Sequence, residues 1–158
     1  MKRKVIFIAV LAGILSAYLV TASIGKGTVM SESMLPTLQV GEKVHINRLA
    51  YIFSSPKRGD IISFYDEISK LEVVKRVVAI EGDRILITTS GRFYLNDELQ
   101  EEPYLYERFW RNTFDIELTV PPNTVFVMGD NRNNSNDSRG SLGPIGLRNV
   151  HGKVSSVN

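Results

Sequence analysis

The sequence contains no cysteine, which excludes disulfides and every metal site built on thiolates. An oxidising compartment is compatible with that absence but not required by it. Charge of one sign is also scarce. Nineteen basic residues face seventeen acidic ones, for a formal net charge of +2. Because the cations are dispersed among acids, no patch suited to nucleic acid is expected. Internal repeats and low-complexity tracts are absent, and no segment beyond the N-terminus carries a sustained helical period. With 158 residues and 43% hydrophobic content, the chain has the makeup of one ordinary globular domain.

One long apolar run is present. Lys2, Arg3 and Lys4 precede an uncharged stretch from Val5 to Ile24. As a helix at about 1.5 Å per residue it is roughly 30 Å long, enough to cross a bilayer. The basic cluster in front predicts a cytoplasmic N-terminus and an external remainder. A cleaved secretory signal is the alternative, with Val20-Thr21-Ala22 as a small-residue cleavage site. The run is longer than the usual apolar core of such signals, roughly 7–15 residues. The expected division is therefore a basic cap and single membrane anchor over residues 1–25, a short link through Thr28, and an external domain over residues 26–158.

That external part is patterned as strands. Phe114 to Val120 alternates apolar and polar residues, as a half-buried strand does. Ile61–Phe64, Val73–Ile80, Arg84–Thr88 and Val125–Met128 are apolar or β-branched runs, separated by turn signals such as Ser90-Gly91, Asn96-Asp97 and Pro121-Pro122-Asn123. The aromatic stretch from Glu101 to Asn112 fits neither period. The fold class expected is all-β.

Chemistry concentrates in three segments. In Val73-Val74-Lys75-Arg76-Val77-Val78-Ala79-Ile80 a lysine sits inside an apolar strand, and strict alternation places it with Val73, Val77 and Ala79. Lysine can answer burial by losing its proton, which arginine cannot do, so Arg76 needs a carboxylate. The plain alternative is a lysine at a strand end, snorkelling to water. In Ser31-Glu32-Ser33-Met34-Leu35-Pro36-Thr37 a serine lies in a turn stiffened by proline. Serine is a weak nucleophile until a base takes its proton, and a desolvated lysine is a competent base. Serines at turns are also common as caps or as solvent-bonded residues. The third segment, Gly129 to Gly140, interleaves Asp130, Arg132, Asp137 and Arg139. It lacks the closing bidentate glutamate of a calcium loop and reads instead as an ion-pair network propping up a site.

In this order behind an anchor, the segments resemble the bacterial type I signal peptidases. Ser31 to Thr37 is similar to that family's nucleophile box, Arg58-Gly59-Asp60-Ile61 to its turn-and-strand box, Lys75-Arg76-Val77-Val78 with Gly82-Asp83 to its base box, and Gly129 through Arg139 to its last box. Glu102-Pro103-Tyr104 and Gly143-Pro144 carry weaker similarity. The resemblance implies Ser33 as nucleophile, Lys75 as general base, Ser31 and the Ser33 amide as oxyanion donors, and Ser135 as the partner orienting Lys75. Arg76, Asp130, Asp137 and Arg139 become supporting ion pairs. It implies a two-sheet antiparallel catalytic core on the cytoplasmic membrane, facing outward, without metal or cofactor. Its partners would be the bilayer and preprotein signal peptides with small residues before the cut. Val29, Met30, Met34, Val73 and Val74 flank the dyad in sequence and are expected to line the cleft. His45 and His151 fall outside every matching segment. Ala79, Glu81 and Asn133 depart from the family pattern without touching the dyad. Three rival readings are a peptidase dedicated to one substrate, a self-cleaving repressor, and an inactive anchored β-domain that binds peptides. The anchor and the absence of a DNA-binding segment oppose the second; intact Ser33 and Lys75 oppose the third.

Overall fold

The computed structural model describes residues 6–14 and 23–156. Residues 6–14 are helical and exposed. No helix among the described residues is long and apolar enough to cross a membrane; the remainder of the expected anchor lies outside them.

The strands run β1 (Ile24–Thr28), β2 (Lys43–Asn47), β3 (Ile61–Asp66), β4 (Leu71–Ile80), β5 (Arg84–Ile87), β6 (Phe93–Leu95), β7 (Glu98–Leu99), β8 (Ile116–Thr119), β9 (Thr124–Met128), β10 (Ile145–Gly146) and β11 (Val150–Ser156). Among the described residues they form two sheets, one of seven strands in the order β1-β2-β11-β3-β4-β9-β10 and one of four in the order β7-β6-β5-β8. The pairings are antiparallel throughout. The all-β, two-sheet expectation therefore describes the observed architecture. Residues 25–28, expected as a link, instead form the edge strand β1 on β2.

Local chemistry accounts for the tight turn after β6. Asn96 and Asp97 both have positive φ, 52° and 70°, the conformation that a two-residue hairpin needs between β6 and β7 and that these residue types tolerate. The strand expected over Phe114–Val120 is shorter, because the Asp115 carboxylate accepts the Thr89 amide at 2.6 Å and the Asn112 amide group donates to the Phe114 carbonyl at 2.6 Å. Those bonds hold the residues before Ile116 out of the ladder.

Strict alternation fails in β4. Val77 pairs with Val127 but Ala79 pairs with Phe126, which leaves Val78 as the extra residue of a bulge. The bulge shifts the side-chain phase by one. Val78 and Ala79 both enter the cluster formed with Ile85, Ile87, Phe93 and Phe126. Val77 and Ile80 pack instead with Ile62, Phe64, Val125 and Val127. A third cluster of Val29, Met34, Leu38, Val44, Ile46 and Val154 lies beneath the turn that carries Ser33. Each fully buried side chain of this size contributes about 1.5–3 kcal/mol.

Strand β11 crosses β2 closely at Gly152, where an added Cβ would stand 2.8 Å from the Asn47 carbonyl carbon and 3.1 Å from the Arg48 Cα. Backbone cannot swing aside as a side chain does. Gly152→Ala is therefore expected to lower stability by about 1–3 kcal/mol, read as a lower denaturant midpoint with an unchanged slope.

Candidate active site

Ser33 lies in the middle of a three-residue 3-10 turn, Glu32–Met34. The side chain after it, Met34, is 1% exposed in the apolar cluster below, so hydrophobic burial clamps the turn from beneath. From the other side, the Asn131 amide donates to the Ser33 carbonyl at 3.1 Å, and the Asn131 side chain donates to the Glu32 carbonyl at 3.2 Å. The Asn134 side chain adds a bond to the Glu32 carboxylate at 3.0 Å. The second amide of so short a turn has no partner within it, which leaves the Ser33 N–H as a potential donor.

Lys75 comes from β4, opposite Ile62 of β3, and is 4% exposed. Its Nζ donates to the Ser33 Oγ at 2.8 Å and to the Val74 carbonyl at 3.1 Å. Burial pushes its pKa down to about 8, against the pull of Asp137 and Asp130, which favour the cation. Roughly a tenth of such a lysine is neutral at pH 7, some 300 times the fraction of an ordinary one. The Ser31 Oγ stands 3.2 Å from the Ser33 Oγ, and Ser31 is exposed.

Both nearby carboxylates are held by arginine forks. Arg76 meets Asp130 through Nε at 2.8 Å and Nη2 at 2.6 Å, and the Thr37 hydroxyl donates to the same carboxylate at 2.5 Å. Arg139 meets Asp137 through Nε at 2.8 Å and Nη2 at 2.9 Å. Burial opposes the charge of Asp137, yet Arg139, the Gly129 amide and the Ser135 hydroxyl together hold its pKa below the ordinary value. The Ser135 hydroxyl donates to Asp137 at 2.7 Å. The resemblance implied that it orients Lys75, but the bonds of Lys75 go to Ser33 and Val74. The Ser135 hydroxyl gives its one proton to Asp137, which leaves its oxygen lone pairs free to accept.

The sequence left the partners of several contributing residues unassigned. Glu102 grips Arg132 bidentately at 2.6 and 2.8 Å, and both side chains are almost wholly buried. The Tyr104 hydroxyl donates to Glu102 at 2.7 Å, while its ring covers Arg76 with the guanidinium 4.1 Å from the centroid. Trp110 underlies Arg132 and Arg139 at 4.9 and 5.1 Å. The aperiodic aromatic stretch is thus a brace across the arginines. Asp83, expected only as the end of a motif, accepts the Arg58 Nε at 2.8 Å and the Ile80 amide at 2.9 Å. Asn133 latches that stretch through bonds to Glu107, to the Phe109 carbonyl and from the Arg111 amide.

The five residues expected to line the cleft do not share one surface. Val29, Met34 and Val74 pack in the cluster under the serine turn, Val73 belongs to the cluster with Ile62 and Phe64, and Met30 is 84% exposed. Sequence neighbours of a dyad need not be spatial neighbours of its substrate. Neither histidine bonds to the dyad; the His151 Nδ1 lies 3.3 Å from Glu72. No group of three or more candidate ligands that could hold a metal ion occurs among the described residues.

A serine hydroxyl fixed against a buried, partly discharged lysine, on an antiparallel two-sheet frame, is the constellation of a serine–lysine hydrolase. Residues 2–158 match the family described as signal peptidase, peptidase S26, and the chain belongs to that family. It is 36% identical to signal peptidase I U of Bacillus subtilis over 153 residues, covering 90% of this chain and 81% of that protein. It is 35% identical to thylakoidal processing peptidase 1 of Arabidopsis thaliana, covering 80% of this chain and 39% of that protein. The chain thus spans about two fifths of the length of that longer relative. A crystal structure of a signal peptidase I from Enterococcus faecalis superposes with a TM-score of 0.54 at 30% identity, covering 63% of this chain and 97% of that one.

The site depends on a close approach at Gly129, where an added Cβ would stand 2.5 Å from the Ser33 carbonyl oxygen and also against the Ser135 hydroxyl. The serine turn would have to retreat from its support. Gly129→Ala is expected to cut peptide cleavage on the order of 100-fold through misplacement of the nucleophile, while thermal melts still show a folded protein.

Proposed function

We propose that this chain is a membrane-bound leader peptidase that removes signal peptides from exported preproteins, with Ser33 as nucleophile and Lys75 as general base. The observation that carries the reading is the 2.8 Å approach of Lys75 Nζ to Ser33 Oγ at a site where burial lowers the lysine pKa to about 8.

In the reactive form Lys75 is neutral. It takes the Ser33 proton as Oγ attacks the scissile carbonyl, and the ammonium so formed gives that proton to the leaving amine as the C–N bond breaks. Lys75 then draws a proton from water, which attacks the acyl-enzyme, and returns it to Ser33 as the ester bond breaks. The Ser33 amide and the Ser31 hydroxyl are the donors for the negative oxygen of each tetrahedral species. Arg76–Asp130 and Arg139–Asp137 act as positioning pairs, with Ser135 acting on Asp137. The arginines also offset two carboxylates that would otherwise hold Lys75 in its charged, inactive form.

Residues 1–25 serve in this reading as a cytoplasmic cap and single-pass anchor, and residues 26–158 as the catalytic domain outside the cytoplasmic membrane. Membership of a generally membrane-associated family and the apolar run both support this. The substrates are signal peptides with small residues before the cut. Of the flanking residues, Met30 is exposed and Val73 and Val74 are half-buried, and Val29 and Met34 pack under Val74 in the core.

Cleavage of a leader-type peptide by purified variants tests the assignment. Ser33→Ala and Lys75→Ala should each abolish nearly all activity, and the double variant should be little worse, because residues acting as a unit are non-additive. Lys75→Arg should be equally inactive, since its guanidinium keeps its proton. For the free enzyme, kcat/KM should climb with pH and level off above about 8, as the neutral amine becomes the dominant form. Retained activity in Lys75→Ala, or a flat profile in a folded enzyme, would discard the lysine base.

A further inference from the structure

The serine turn packs against two elements of different character. One is β4, where the half-buried Val73 and Val74 precede Lys75. The other is the polar 3-10 turn Arg132–Asn134. In the catalytic reading, small side chains before the cut need an apolar wall, which β4 supplies. A peptide that lays those residues on β4 and crosses Ser33 leaves over the second turn. The residues after the cut therefore pass Asn134 and its partner Glu32.

Glu32 is exposed and lies between the two serines of the turn. The Ser31 and Ser33 hydroxyls approach each other at 3.2 Å, whereas the Glu32 carboxylate reaches instead to Asn134, accepting its side-chain amide at 3.0 Å. The Glu32 backbone carbonyl is held by the Asn131 side chain at 3.2 Å, so this acid is fixed at the edge of the turn that carries the nucleophile. The charges around the dyad are otherwise paired: Asp130 with Arg76, Asp137 with Arg139, Asp83 with Arg58 and Glu102 with Arg132. No cation pairs with Glu32 among the described residues. On the same turn Asn133 holds Glu107, a second carboxylate of the same sign. Arg111 lines a polar hollow with Ser135 and Arg139, to which Glu32 does not contribute. The charges that favour the Lys75 cation are those of Asp137 and Asp130, not that of Glu32. An unpaired charge so placed acts on what binds, not on the base.

We infer that Glu32 is a specificity-determining residue, which favours a cationic side chain over an anionic one in the first two residues after the scissile bond. The contact forms at a solvent-exposed rim, where an ion pair contributes modestly; lysine and aspartate differ there by one attraction and one repulsion, about fivefold in kcat/KM. The pair is present in the bound substrate and persists in the transition state, so it lowers KM and leaves kcat unchanged. Salt weakens it by screening. This inference rests on the Ser33 reading, and the experiment separates the two.

The full chain in detergent micelles is given leader-type peptides that differ only at the second residue after the cut, which is lysine or aspartate. The lysine-to-aspartate ratio of kcat/KM is taken within each enzyme, so a general loss of activity in a variant cancels. The unsubstituted chain is expected to give a ratio of about five, carried by KM and falling toward one as salt is raised to about 1 M. Glu32→Gln keeps an oxygen for Asn134 and should bring the ratio to one, and Glu32→Lys should invert it. A ratio of one in the unsubstituted chain overturns the inference, as does a ratio that survives in Glu32→Gln. A second peptide pair carries lysine or aspartate at the second residue before the cut. Discrimination there and not after the cut means that Glu32 faces the leader, and also overturns it. Cleavage that persists in Ser33→Ala removes the dyad reading, and the inference falls with it.

Discussion

A lysine must lose water without gaining a carboxylate of its own. Lys75 satisfies that constraint by lying 4% exposed in β4 with, among the described residues, a serine hydroxyl and a backbone carbonyl as its hydrogen-bond acceptors. Were either Asp130 or Asp137 to bond it directly, attraction would restore the charge that desolvation removes. Much of the neighbourhood follows from this requirement. Strand β4 lies between β3 and β9 in the larger sheet, which removes solvent on both sides of the strand. Met34 draws the serine turn down until Oγ meets the amine.

The two arginine–aspartate pairs are better understood through this constraint than as reservoirs of stability. Buried ion pairs seldom contribute much net folding energy, because desolvation offsets the attraction. Their geometry matters more. Forked bonds occupy both oxygens of Asp130 and Asp137, so each carboxylate is fixed in place and turned toward arginine instead of lysine. The aromatic rings then cover the guanidinium faces, Tyr104 on Arg76 and Trp110 under Arg132 and Arg139. Glu102 ties the brace together by holding Arg132 and accepting the Tyr104 hydroxyl.

The larger sheet also joins the two ends of the functional unit. Strand β1 runs from the close of the apolar segment at Ile24 to Thr28, five residues before Ser33. Pairing with β2 makes this stretch a rigid spacer, not a loose tether. Ser33 is therefore held at a set reach from the close of the apolar run.

Elements whose information is local were legible in the chain. Runs of β-branched residues marked β3, β4, β5 and β9, Asn96-Asp97 marked a turn, and the lysine stood out because a charge is unusual inside an apolar strand. What stayed hidden depended on partners distant in the chain. Strands β1, β2 and β11 carry lysine, histidine and glycine and become strands by pairing with one another, since strand preference is set by neighbours more than by composition. The bulge at Val78 overrode alternation, and no local pattern announced it. The bond from the Ser135 hydroxyl to Asp137 became visible only in the fold. The 42-residue separation of Ser33 and Lys75 was closed by the sheet. Tertiary structure alone turned an ordinary serine and a strand lysine into a pair, because proximity and desolvation are properties of packing.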